Sequence, residues 1–304
     1  MNAKCLRLPY YPGCTLKTAA SVFETSALAC AEVLGMELVE IPRWNCCGTV
    51  FSLTDDDLIH HVAPIRNLIR VQEMNRDGIL EGENRLVTLC SMCFNTLKRA
   101  SLLARDKPDS LKTLNDFMSL EEDYAGDVEV VHFLELLRDL GTEAMAEKVK
   151  RPLAGLKVAP YYGCTLLKPG EVGIDDAEEP TIQRDIFAAL GAEVVNHPYM
   201  RLCCGSYQTM GEKEAVVRLA HDILDRARKE GAEVVATSCP LCAFNLDSRQ
   251  GEIKEAYPDF EKIPVVYFTQ LMARAFGLAP ESYESDQNRV STEALFREEQ
   301  PVLE

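Results

Sequence analysis

The sequence predicts an α/β protein made of two copies of one domain, each a small, mainly parallel sheet flanked by helices, with the copies related by pseudo-two-fold symmetry. Short apolar strand signals alternate with amphipathic helical stretches, which is typical of parallel sheets covered by helices. Four landmarks also recur in the same order, 150, 157, 149 and 135 positions apart, so the chain is a duplication. The landmark pairs are Leu6–Leu16 with Leu156–Leu166, Cys46-Cys47-Gly48 with Cys203-Cys204-Gly205, Cys90–Cys93 with Cys239–Cys242, and Val130–Phe133 with Val265–Phe268.

The first copy predicts strands and helices in alternation. After the strand that opens Leu6–Leu16, an apolar stripe at helical spacing predicts a helix that Gly35 ends. Met36–Ile41 then predicts a strand. Asp55–Arg76 predicts a long helix with Thr54 and the acidic residues that follow it at its N-terminus, and Arg85–Leu89 predicts the strand that leads into Cys90. The stripe consists of Phe23, Ala27, Cys30 and Leu34.

The second copy repeats this order. Both CxxC pairs directly follow a predicted strand, and in parallel sheets sites form just past the carboxyl ends of strands. We therefore expect both CxxC pairs to belong to functional sites. The predicted elements are a helix over Thr181–Leu190 ended by Gly191, a strand over Ala192–Val195, a helix over Glu212–Lys229 ended by Gly231, and a strand over Glu233–Thr237.

These elements divide the chain into three parts. Residues 1–150 form the predicted N-terminal domain and residues 151–278 the C-terminal domain, with the charged stretch Glu143–Gly155 as the linker. Residues 279–304 carry little apolar periodicity and are predicted to form a tail.

Composition narrows the function classes. A net charge of −16 over 304 residues disfavours binding to nucleic acid or anionic lipid. No apolar run reaches the roughly 18 residues of a membrane span, and the N-terminus lacks the apolar region of a secretory signal, so we expect a cytoplasmic protein. Twelve cysteines in a reducing compartment favour metal binding over disulfides.

Ten of the cysteines fall into two equivalent sets of five. A structural zinc site takes four ligands, so five thiolates exceed its need, although zinc in one half stays an open alternative. Soft thiolates without histidine favour iron–sulfur chemistry. The N-terminal thiol set is Cys14, Cys46, Cys47, Cys90 and Cys93, and the C-terminal thiol set is Cys164, Cys203, Cys204, Cys239 and Cys242.

This cysteine pattern resembles the paired cysteine-rich CCG domains of the catalytic B subunit of heterodisulfide reductase, over about residues 6–278. The resemblance implies that each half binds one non-cubane [4Fe-4S] cluster through its five cysteines. It further implies that a disulfide, in methanogens that of coenzymes M and B, is reduced between the two clusters. A ferredoxin-like C subunit, itself supplied by a flavin-containing A subunit, would deliver the electrons; this chain shows no GxGxxG fingerprint of its own.

Four basic residues close to motif cysteines are candidates for binding an anionic substrate, with ordinary surface charge as the alternative. Two other functions stay open. One is a related iron–sulfur subunit of another complex, for hydroxy-acid oxidation, acyl-CoA reduction or sulfur oxidation. The other is a zinc-bearing scaffold. The basic residues are Lys17, Arg43, Lys168 and Arg201.

Overall fold

The computed structural model describes residues 5–49, 57–80 and 82–296. It contains two four-stranded parallel sheets flanked by helices, which confirms the predicted α/β class. The strands are β1 Leu6–Tyr11, β2 Met36–Glu40, β3 Arg85–Thr88 and β4 Glu129–His132 in the first sheet, and β5 Lys157–Tyr161, β6 Glu193–Val194, β7 Val234–Thr237 and β8 Val265–Tyr267 in the second.

Helices connect the strands in both halves. Among the described residues, no helix is both long and apolar enough to cross a bilayer. The α-helices are α1 Ser21–Val33, α2 Val62–Arg76, α3 Ser91–Asp106, α4 Pro108–Phe117, α5 Phe133–Leu140, α6 Thr142–Ala146, α7 Ile182–Ala189, α8 Lys213–Lys229, α9 Pro240–Ala243, α10 Gln250–Ala256, α11 Phe268–Ala275 and α12 Glu293–Phe296. Short 3-10 turns cover Leu58–His61, Ser206–Met210 and Pro280–Ser282, and a π-helical turn covers Phe244–Ser248.

Both sheets have the same strand order, β2-β1-β3-β4 and β6-β5-β7-β8. The order reverses direction between β1 and β3, and again between β5 and β7. In an open parallel sheet, a crevice forms at such a reversal, outside the carboxyl ends of the two strands, and ligands bind there. The duplicated topology therefore provides two equivalent crevices.

The long helix predicted over Asp55–Arg76 begins later than expected. Thr54 and Asp55 lie outside the described residues. Asp57 accepts a hydrogen bond from the Ile59 N–H at 3.2 Å and caps the 3-10 turn, and α2 begins only at Val62. Pro64 occupies the first turn of α2, where its missing N–H has no helical partner to lose.

The halves pack reciprocally. Helix α1 of the N-terminal half packs on α11 of the C-terminal half, while α7, the counterpart of α1, packs on α5, the counterpart of α11. The Phe23 ring stacks on Tyr267 at a centroid distance of 4.3 Å, and Ser26 Oγ lies 2.6 Å from Thr269 Oγ1. One continuous apolar core spans both halves. Exchange of equivalent contacts is the signature of a two-fold relation.

The linker and the tail are both packed against the rest of the chain. In the linker, Met145 and Leu153 are buried. In the tail, the Asp247 carboxylate accepts the N–H groups of Arg289 (2.6 Å) and Val290 (3.1 Å). Gln287 Nε2 donates to Ser21 Oγ of α1 at 3.2 Å. The described tail thus crosses from the C-terminal half to the N-terminal half, a path for which the sequence carries no periodic signal.

Candidate metal centre and adjoining cavity

Each thiol set is assembled from the three loops that follow the first three strands of its sheet. In the N-terminal half, Cys14 follows β1, the CCG cysteines follow β2, and Cys90 follows β3. The first and third of these loops lie at the strand reversal, so the topology alone brings distant cysteines together. The C-terminal half repeats this placement.

The two thiol sets have the same pattern of burial. In each, the second CCG cysteine and both CxxC cysteines are buried, whereas the first CCG cysteine is exposed. The second CCG cysteine contacts the second CxxC cysteine: Cys47 Sγ lies 3.4 Å from Cys93 Sγ, and Cys204 Sγ lies 3.4 Å from Cys242 Sγ. Sequence positions about 40 residues apart therefore meet at the same point in both halves.

Tyrosines at the strand ends hold the CCG loops. The Tyr11 hydroxyl donates to the Asn45 carbonyl at 2.9 Å, and the Tyr161 hydroxyl donates to the Leu202 carbonyl at 2.6 Å. Each accepting residue directly precedes its CCG motif. In the first half, buried Asn67 of α2 also bonds both backbone polar groups of Asn45, a role that sequence analysis missed because nothing in the sequence marks the pairing.

Glycine is required before the first cysteine of each set. Gly13 and Gly163 have positive φ values of 74° and 66°, a region that side chains disfavour. A Cβ on Gly13 would lie 3.1 Å from Cys93 Sγ, and one on Gly163 would lie 3.4 Å from Cys242 Sγ. These glycines let the backbone approach the sulfurs closely.

Neighbouring thiols and backbone amides favour thiolates in both sets. The pKa of Cys47 is lowered well below its usual value, first by the Cys46 thiol and then by the Cys93 thiol. The pKa of Cys203 falls to about 3, first because of Cys164 and then because of Cys204. In the C-terminal half, the N–H of Gly205 donates to Cys203 Sγ at 3.4 Å.

The donor chemistry fits a thiolate-bound iron–sulfur group. Soft sulfur donors, close backbone approach and N–H donors aimed at sulfur are the features such groups use. Among the described residues, no three histidine, cysteine, aspartate or glutamate side chains are grouped tightly enough to hold one metal ion as they stand; the closest described thiols form pairs.

The two thiol sets touch each other across the boundary between the halves. The Cys90 and Cys239 thiols are hydrogen-bonded to one another. Beside them, Ser91 N donates to Ser238 O at 3.3 Å, and the two serine hydroxyl oxygens lie 3.0 Å apart. The sets therefore lie side by side in the interior rather than on opposite surfaces.

A cavity of about 660 Å³ opens onto the N-terminal thiol set. All five N-terminal cysteines line it, and none of the C-terminal set does. The opposite wall comes from the C-terminal half, through α9 and the π-helical turn, and the tail closes one side with residues 286–289. Of the described lining residues, Arg289 is the basic one, and much of the remaining wall is apolar.

The four basic residues proposed to bind substrate lie outside the described cavity lining. Lys17 pairs with Glu24 at 2.7 Å and with Glu40 at 2.6 Å. The remaining three are also accounted for: Arg43 pairs with Glu73 at 2.7 Å, Arg201 pairs with Glu178, and Lys168 is exposed.

Comparison with known proteins places these features among related sequences. The profile of a family described as "Cysteine-rich domain" (CCG) matches residues 8–98 and 158–247. The chain is 35% identical over 272 residues to the 8-methylmenaquinol:fumarate reductase membrane anchor subunit of Wolinella succinogenes, covering 88% of this chain and 92% of that protein. It is 27% identical over 292 residues to the B subunit of the ferredoxin/F(420)H(2)-dependent CoB-CoM heterodisulfide reductase of Methanosarcina acetivorans, covering 93% and 94%.

Two further matches agree. A protein of Archaeoglobus profundus, described as similar to the B subunit of heterodisulfide reductase, is 27% identical and is covered to 90%, using 88% of this chain. The crystal structure of a hypothetical protein from Helicobacter pylori matches with a TM-score of 0.73 at 11% identity, over 94% of this chain and 54% of that one. The latter is a likeness of fold alone.

Proposed function

The chain belongs to the family of cysteine-rich CCG domain proteins, and from this premise we propose that it is the iron–sulfur subunit of a multi-subunit oxidoreductase. It exchanges electrons between a partner subunit and a small two-electron substrate. Each thiol set holds one non-cubane [4Fe-4S] cluster through its five cysteines. The substrate binds at the N-terminal set.

The observation that carries this proposal is the cavity of about 660 Å³ lined by all five N-terminal cysteines. Its volume suits a small organic molecule, and such a molecule would lie directly against the thiol set. The contact between Cys90 and Cys239 then joins the substrate-facing set to the other set. That set contributes no cysteine to the described cavity lining and is exposed at Cys203, so we assign it to electron exchange with a partner.

The residues of the chain would position and shield the redox centre. When bound, the iron–sulfur group would supply single electrons and iron atoms that can hold a sulfur or oxygen. Tyr11 and Asn67 fix the CCG loop, and Gly13 allows close approach to Cys93 Sγ. The wall formed by the π-helical turn and the tail would limit the access of water.

A low-molecular-weight disulfide is the first candidate substrate. Relatives at 27% identity over most of the chain are named as B subunits of CoB-CoM heterodisulfide reductases, and two adjoining centres can supply the two electrons that disulfide cleavage needs. In this case the partners are a ferredoxin-like subunit and a flavin-containing subunit.

A hydroquinone is the second candidate. The relative at 35% identity is named as a subunit of an 8-methylmenaquinol:fumarate reductase. The cavity presents apolar side chains such as Val22, Met92 and Phe244, which suit a quinone ring better than a strongly anionic disulfide.

Anaerobic purification with metal analysis tests the common proposal first. Two four-iron centres require about eight irons per chain, whereas zinc without iron supports the scaffold alternative and overturns the proposal. The dithionite-reduced protein is then mixed separately with CoM–CoB heterodisulfide and with a short-chain methylmenaquinone. The substrate class is the one that reoxidises the protein. Reoxidation by neither, with full iron content, contradicts both candidates.

A further inference from the structure

A one-residue difference separates the two CxxC helices. In the N-terminal half, Phe94-Asn95 directly follows Cys93, whereas in the C-terminal half Ala243 intervenes before Phe244-Asn245. Helix α3 continues through its Phe-Asn pair, but α9 passes into the π-helical turn at Phe244. A single inserted residue is accommodated by widening one turn, and such turns are frequent at functional sites.

The wider turn gives the two asparagines different partners. Asn95 Nδ2 donates to the carbonyls of Thr165 and Lys168, both at 2.8 Å, and so ties the N-terminal helix to the other half. Asn245 Nδ2 instead faces the CCG loop of its own half: it lies 2.9 Å from Ser206 O, 3.3 Å from Cys204 O and 3.4 Å from Cys204 Sγ.

The orientation of the Asn245 amide follows from its surroundings. Two carbonyl oxygens and one sulfur, all acceptors, surround the nitrogen, so a flipped amide would place its oxygen against three acceptors. Asn245 is fully buried, which strengthens a hydrogen bond to a charged sulfur. Backbone donors to the CCG sulfurs are matched between the halves, at Gly48 and Thr49 in one and at Gly205 and Ser206 in the other.

The side-chain amide is therefore the difference between two otherwise similar sulfur environments. Hydrogen bonds to ligand sulfur raise the potential of an iron–sulfur centre, because the reduced centre carries more negative charge and gains more from the donor. Resting on the proposed function, we propose that Asn245 is a positioning residue that raises the reduction potential of the centre held by the C-terminal thiol set. Asn95 has no such effect on the N-terminal centre.

Redox titration of the anaerobically purified holoprotein, followed by paramagnetic resonance, tests this inference. Cys47→Ser and Cys204→Ser assign the signals, since each removes a ligand from one half. A hydrogen bond of about 1 kcal/mol corresponds to about a fivefold change. At fixed potential, Asn245→Leu should lower the reduced-to-oxidised ratio of the C-terminal centre about fivefold and leave the N-terminal centre unchanged.

The controls separate tuning from structure. Asn95→Leu removes buried hydrogen bonds of similar kind and should leave both potentials unchanged. Asn245→Gln retains the amide donor and should keep the ratio nearer to that of the unmodified protein. Full iron content with an unshifted C-terminal potential in Asn245→Leu overturns the inference, as does loss of the C-terminal centre in both Asn245 variants. An iron-free unmodified protein instead refutes the proposed function itself.

Discussion

The two thiol sets share their chemistry but differ in what surrounds them. Burial, sulfur–sulfur contacts and the tyrosines that hold the CCG loops are repeated almost residue for residue. The described cavity, however, opens only onto the N-terminal set, because the π-helical turn and the tail belong to the C-terminal half and build the opposite wall. Duplication supplied two equivalent metal centres, and local departures from symmetry gave them different tasks.

The largest expected effect comes from removing equivalent ligands. Cys47→Ser, which alters the cavity wall, should abolish reoxidation by substrate, because the substrate-facing centre is lost. Cys204→Ser should remove the other centre and its resonance signal, yet leave a substrate-induced change in the N-terminal signal. Iron should fall to about half in each variant. Identical behaviour of the two variants in stopped-flow and resonance measurements would contradict the division of roles.

Breaking the contact between the halves should cost about 3–5 kcal/mol of unfolding free energy. Phe23→Ala removes a fully buried ring that stacks on Tyr267 and meets Phe268 edge-on, and large-to-small changes at such sites have this magnitude. Urea unfolding measures the loss. Phe117→Ala, at an exposed ring, is the matched control and should change stability by less than about 0.5 kcal/mol.

The pair His132 and Tyr267 predicts a pH effect that originates in one half. Burial lowers the pKa of His132 to about 4, while its ring bonds Leu89 O and the Leu134 N–H. The unfolded chain binds a proton near pH 6.5, so stability is present above that pH and is lost as pH falls towards 4. Between pH 7 and pH 5 this histidine should contribute a loss of about 2 kcal/mol.

His132→Gln is the variant that isolates this contribution. Its unfolding free energy should fall by about 2 kcal/mol less than that of the unmodified protein over the same pH interval. Tyr267 at the equivalent position does not titrate there, since burial raises its pKa well above the usual value. Parallel pH profiles for the two proteins would show that His132 is not the titrating group.

The smallest expected effect concerns the tail. Asp247→Ala removes the carboxylate that accepts the Arg289 and Val290 amides. The loss of about 1 kcal/mol of local stability should speed hydrogen exchange at those amides about fivefold. Asp222→Ala, on the exposed side of α8, should leave their exchange unchanged. If exchange is equal in both variants, Asp247 does not anchor the tail.

Sequence reasoning could locate the fold and the thiols because both depend on local patterns. The apolar stripe from Phe23 to Leu34 and the repeated Gly-Cys, CCG and CxxC landmarks are visible in the sequence. The cavity is not, because it depends on where the tail crosses the molecule. Asp247, which anchors that tail, looks in the sequence like any other acidic residue.

The role of Asn245 was partly visible. The Phe-Asn pair recurs after both CxxC motifs, but shifted by one position in the second copy. Spacing alone cannot show whether a helix absorbs an extra residue or ends there. The basic residues chosen for their nearness to cysteines, such as Lys17, instead pair with acidic neighbours of their own chain, and closeness in sequence carries no information on that choice.

The reciprocal packing of α1 on α11 and of α7 on α5 has an evolutionary consequence. A single-repeat ancestor would have exposed the same two helical faces, and self-association would have been the means of covering them. Such an ancestor would have been a homodimer with two identical centres meeting at its axis. Only after fusion into one gene could an insertion such as Ala243 act on one centre alone, because in a homodimer every mutation occurs twice.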